Sequence, residues 1–384
     1  MDVRKCLLMK MSNKYRLDFY RENINYFDGM TFLFFDCRES NFIEQVSDIG
    51  FKELQIVRLA DYQHMFVLNN ESYDNYKYII KSQSEIFIDS NIFGNFTSHK
   101  YEIKNEIIKL MNLKEHSGVV FNIIPFMIEK SYNNFAILER DVLGIYNCCK
   151  EFFKLSGNGL SENEISIRAD NALHELLNSK KNNDEIEIAQ RQQNVVYAYF
   201  LKTFILFNLY NNSKDRVEKF VDFINNDVFI YMELPAEMCF NYLIYGQRSI
   251  YKDFYNKFQK SCKDILSSAK GMAWDIVLIY NTFASCSEIY RIQRIITLPY
   301  FATLDKRLAK VVRLNPVRAI SYNGQGNPNF YFTRGIDDLE IDEALKSLIA
   351  QNSDERTYRF NKLDIKRLVK RYEDEVSNII EPNY

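Results

Sequence analysis

The stretch Ser84-Glu85-Ile86-Phe87-Ile88-Asp89-Ser90-Asn91-Ile92-Phe93 constrains the fold of this chain more than any other. Ile86-Phe87-Ile88 is a short uninterrupted apolar run, the pattern of a buried strand, and Asp89-Ser90-Asn91 supplies the residues of the turn that leaves it. Such a strand delivers a carboxylate to the C-terminal edge of a sheet, where α/β folds place their chemistry.

Similar runs recur. Thr31 to Phe35, Leu54 to Val57 and Met65 to Leu68 read as strands separated by polar turns. Val119 to Ile124 reads as a second buried strand, and Pro125 opens a helix after it, where the missing N–H costs nothing. A helix is expected around Tyr101 to Asn112, and helical spacing dominates from about 136 to 270. Asn178 to Asp184 reads as a loop between helices. A further helix is expected from near Lys270, and Pro299 to Leu304 reads as a third buried strand ending in Asp305. Ser321 to Asn327 is loop-like, and Asp337 to Ile380 predicts two helices.

At 384 residues the chain is long enough for a large core and two or three domains. Its 30 Phe and 26 Tyr against 12 Gly and 6 Pro argue for a folded, mostly helical protein. The net charge of −2 gives no general attraction for nucleic acid, so any such surface must be local. The N-terminal residues lead into no sustained apolar segment, and no run is long enough to span a bilayer; no membrane association and a cytoplasmic location are expected. Seven cysteines without CxxC spacing read as reduced core thiols. Neither GxxxxGK[ST] nor GxGxxG occurs, so no nucleotide cofactor is expected.

Four acids stand out by context. Asp89 follows a strand, Glu129 lies about a turn into the helix after Pro125, Asp275 falls in the first turns of an apolar helix, and Asp305 ends a strand in Thr303-Leu304-Asp305. Taken singly, each is ordinary as a cap, a helix-end charge or a surface acid. Their order resembles the PIN-domain nuclease superfamily: an Asp after the first strand, often Asp-x-Asn as in Asp89-Ser90-Asn91, then a Glu in the helix after the second, an Asp near a helix start, and an Asp in Thr-x-Asp. The match covers roughly residues 81–140 and 265–320. It departs from compact members in the separation of 146 positions (275 − 129) from second to third acid and of 30 (305 − 275) from third to fourth.

The resemblance implies an α/β protein with a PIN-like parallel-sheet core in two halves, 81–140 and 265–330. A helical insertion at 141–264 would separate them; outside the resemblance, the residue patterns themselves read as a small mixed α/β region at 1–80 and a helical C-terminal region at 331–384. It implies a metal-dependent endonuclease, RNA favoured over DNA, with Asp89, Glu129, Asp275 and Asp305 as catalytic and Mg²⁺- or Mn²⁺-binding residues. The chemistry suits the residues, because these hard cations prefer carboxylate and water oxygens and can activate water against a phosphodiester. Asn91 and Thr303 are candidates to orient the carboxylates. Lys306, Arg307, Lys310 and Arg313 directly follow the fourth acid and are the expected phosphate contacts, ahead of the basic tail that includes Lys366 and Lys370. A bacterial toxin or antiphage effector held by an inhibitory or activating protein partner is the setting suggested by analogy.

Two other classes compete. Arg168 and His174 have an Arg-x5-His spacing similar to that of metal-independent HEPN ribonucleases, without the polar residue usual just after the arginine. The third class is a non-catalytic scaffold on a degenerate PIN-like core.

Overall fold

A computed structural model describes the chain except residues 1–2, 12, 38–50, 60–63, 74–80, 98–100, 118, 124, 128, 130–141, 158, 180–182, 258–263, 294, 324–328, 352 and 381–384. It is a mixed α/β protein that divides into two compact units, each discontinuous in sequence. One comprises Met1–Asn23, Gln190–Val277 and Tyr331–Tyr384, and the other Ile24–Ala189 and Leu278–Phe330.

The first unit is helical. Asn212 caps the helix Ser213–Phe223 by accepting from the Lys214 N–H, and Asp342 caps Glu343–Ala350 through Ala344. Its core is aromatic. Tyr199 packs edge-on against Phe220 and Phe223, and Tyr242 stacks on Tyr255 at 4.3 Å between centroids. The tail forms three helices, Glu343–Ala350, Ser353–Lys362 and Ile365–Ile380, where two were expected, because the chain breaks again at Leu363-Asp364.

The strands lie in the second unit as far as Phe330. β1 (Met30–Cys37) pairs antiparallel with β3 (His64–Leu68) and with β7 (Val317–Asn323), and β7 neighbours β8 (Asn329–Phe332). The other sheet has the order β2-β6-β4-β5. In it β4 (Lys81–Ile88) runs parallel to β6 (Ile295–Thr303) and to β5 (Val120–Asn122), while β2 (Gln55–Arg58) lies antiparallel on β6. Strands from the first 80 residues therefore pair with strands from 295 onward. β7 and β8 were not anticipated, and β7 runs through to Asn323, into the stretch expected to be a loop.

Ile86, Phe87, Ile88, Phe301 and Ala302 are all buried, as a strand covered on both faces requires. The parallel register sets Ile88 beside Ala302, and the Asp89 N–H continues the ladder to the Ala302 carbonyl at 3.0 Å. Residues 89–91 and 303–305 thus leave the sheet at the same edge. In the helical hairpin of this unit, Ser161 and Glu164 form a reciprocal capping box at the start of Glu162–Ser179. Cys148, Cys149, Cys239 and Cys286 are buried free thiols. Among the described residues no helix is long and apolar enough to cross a membrane.

Candidate active site

Asp89 leaves β4 in extended conformation, and its carbonyl accepts from the Ile92 and Phe93 N–H groups, starting the short helix Ser90–Phe93. Its side chain is only 3% exposed. Beside it Thr303, fully buried at the end of β6, accepts from Asn91 Nδ2 at 3.1 Å and from the Asp305 N–H at 3.0 Å. With both acceptor positions used, the Thr303 hydroxyl turns its own hydrogen to Asp89 Oδ2, 2.6 Å away. Asn91 Oδ1 in turn accepts from the Leu304 N–H at 3.0 Å. Thr303 is thus bonded to Asp89 directly, and Asn91 reaches it through Thr303. The hydroxyl of Ser90 donates to Glu129 Oε2, an interaction with no prior signal in the sequence.

Burial pushes the Asp89 carboxyl up to about 7, the Thr303 hydrogen bond offsets part of that, and the neighbouring Glu129 carboxylate raises it again. A buried acid beside a second acid at a strand end is a recurrent marker of a functional site. The pair would be relieved by a cation, and one or two carboxylates with water completing the shell is the ordinary environment of Mg²⁺. The donor set of Asp89 and Glu129 fits such an ion. Among the described residues, no group of three or more His, Cys, Asp or Glu is arranged to hold a metal.

Thr303 is the keystone of this network. Thr303→Val should cost about 3 kcal/mol, since it removes one bond to a carboxylate and strips an acceptor from two partly buried N–H donors. Thr303→Ser should recover most of it. Chemical denaturation of the three proteins side by side measures both.

Asp305 follows two residues after Thr303, but its Oδ1 caps the helix Lys306–Leu314, accepting from Arg307 N at 2.8 Å and Leu308 N at 3.1 Å. Asp275 differs from expectation. The helix containing it begins at Ile265, started by Asp264, whose side chain accepts from the Ser267 N–H. Asp275 thus sits in the body of that helix, ten residues from its start, and belongs to the helical unit, whereas Asp89, Glu129 and Asp305 belong to the other.

The basic run forms an amphipathic helix. Leu308, Ala309, Val311 and Val312 are buried, while Lys306, Arg307, Lys310 and Arg313 are exposed. Lys306 pairs with Glu53 at 3.0 Å, and Arg313 Nη2 donates to Gln55 Oε1 at 3.0 Å. Glu106 fixes that neighbouring segment by accepting from the backbone N–H groups of Lys52, Glu53 and Leu54.

Arg168 and His174 are both exposed on the one continuous helix Glu162–Ser179. Six residues of an α-helix turn about 600°, which leaves them on different faces. In the helical unit a cavity of about 490 Å³ is lined by Glu218, Asp222, Asn225, Leu348, Arg356 and Arg359 among others. Its arginines are already engaged: Arg356 by Asn225 and the Ile349 carbonyl, Arg359 by Glu355.

No protein-family model, curated protein or solved structure matches this chain.

Proposed function

We propose that this protein is a PIN-like, divalent-metal-dependent endonuclease that acts on RNA in preference to DNA. The observation that carries the proposal is Asp89: buried, set against Glu129, and held by Thr303 and Asn91 at the C-terminal edge of parallel strands β4 and β6. Asp89 and Glu129 would hold Mg²⁺ or Mn²⁺, which supplies an acidified water and charge relief at the leaving oxygen. Thr303 keeps one oxygen of Asp89 engaged and so fixes the direction of the other. Asp305 stands at the rim of this network through its N–H to Thr303. Asp275 enters the proposal only through the order of the motifs. By analogy the setting is a toxin or antiphage effector restrained by a protein partner.

RNA cleavage with Mg²⁺ or Mn²⁺, and its loss in excess chelator, is the test. Undiminished cleavage in chelator that disappears in His174→Ala would transfer the activity to Arg168 and His174.

The substrate backbone would run over the exposed face of the helix Lys306–Leu314. Charge-neutral replacement of Lys306, Arg307 and Lys310 should weaken RNA binding and lower the salt slope by about one unit for each phosphate no longer neutralised. Replacement of Lys366 and Lys370, of which Lys370 is paired with Asp374 at 2.9 Å, should do less. Binding isotherms across salt concentrations compare the two sets, and an unchanged slope for the first would move the surface elsewhere.

A further inference from the structure

We propose that Ser90 is a positioning residue that holds the Glu129 carboxylate against Asp89 for a divalent cation, so that residues 89–91 act as one clamp. This rests on the metal-site reading above.

Three consecutive residues each reach a different part of the site. Asp89 takes the Thr303 hydroxyl, Ser90 gives its hydroxyl to Glu129 Oε2, and Asn91 bonds Thr303 and the Leu304 N–H. Asp89 and Asn91 are therefore locked to the end of β6, and the backbone between them has little freedom. The Asp89 carbonyl adds to that rigidity through its bonds to Ile92 and Phe93. Ser90 projects from this segment, so only rotation about its own side-chain bonds remains to aim its hydroxyl at Glu129. Glu129, by contrast, comes from the helical turn after Pro125, 39 residues along the chain.

Two like charges in one site repel, and a glutamate with three rotatable bonds would turn toward solvent without a restraint. The Ser90 bond supplies that restraint while occupying one oxygen, Oε2. Groups that orient a metal-binding carboxylate typically alter affinity about 10- to 100-fold when removed.

The test is Mn²⁺ binding, read by calorimetry and by the Mn²⁺-induced rise in melting temperature at pH 8. Each variant is compared with its own metal-free form, which separates binding from folding. Ser90→Ala should weaken Mn²⁺ binding by about tenfold or more, and Ser90→Thr, which retains the hydroxyl, should stay near wild type. Equal affinity of Ser90→Ala and wild type would overturn the role of Ser90 and leave the metal site standing. A wild-type protein that binds no Mn²⁺ would overturn both.

Discussion

Asp89→Asn is expected to stabilise the metal-free protein at pH 7.5 by about 4 kcal/mol relative to its effect at pH 4. The folded carboxyl titrates near 7 and the unfolded one near 3.8. Between those values the native state keeps a proton that the unfolded chain has released, so wild-type stability falls as pH rises through that window. About three units at about 1.4 kcal/mol each give the stated size. Well below 3.8 both states are protonated and this contribution to the pH dependence vanishes. Asparagine has no such titration and still offers a carbonyl oxygen to Thr303. The difference between variant and wild type should therefore open from pH 4 to 7 and then level off. Urea unfolding across that range measures it, and parallel pH profiles for the two proteins would rule it out. Mn²⁺ or Mg²⁺ at pH 7.5 should close the gap by stabilising wild type alone, through mass action on the folded state.

RNA cleavage should fall about 10³-fold or more in Asp89→Asn and in Glu129→Gln, a loss of about 4 kcal/mol in transition-state stabilisation. Neither change alters side-chain volume appreciably, so folding should survive both, and the stability of Asp89→Asn relative to wild type should rise from pH 4 to pH 7.5. This combination of a relative stability that rises with pH and lost activity distinguishes a functional acid from a structural one. Asp305→Asn discriminates further. Asparagine caps helices as well as aspartate does, so the helix Lys306–Leu314 should be retained. Any fall in cleavage would then report the missing charge. An unchanged rate would assign Asp305 to the cap alone. Initial rates on a labelled RNA, with circular dichroism of each variant, provide the comparison.

The edge of the sheet was legible because its strands are apolar runs closed by turn residues. Ile86 to Asn91 and Phe301 to Asp305 needed only local pattern, and the pairing of Thr303 with Asp89 followed once the two strands became parallel neighbours. Helix starts were less legible. Asp275 was set near a helix N-terminus because the apolar pattern strengthens around Met272, whereas the helix is started earlier by Asp264. The basic run after Asp305 carried a missed signal: Leu308, Val311 and Val312 at spacings of three and four mark an amphipathic helix, which makes Asp305 its natural cap. The pairing of β1 with β7 and of β2 with β6 spans more than 200 residues and leaves no local trace. The same is true of Ser90 and Glu129, since a serine in a turn looks alike whether or not a carboxylate arrives from elsewhere.

The account stands most directly on where a divalent ion binds. Crystals soaked in Mn²⁺ and measured at its absorption edge should show an anomalous peak within coordination distance, about 2 Å, of both Asp89 and Glu129 carboxylates. That peak should be absent in Asp89→Asn. No peak at this edge of the sheet in wild type, or an equal peak in the variant, would contradict the assignment.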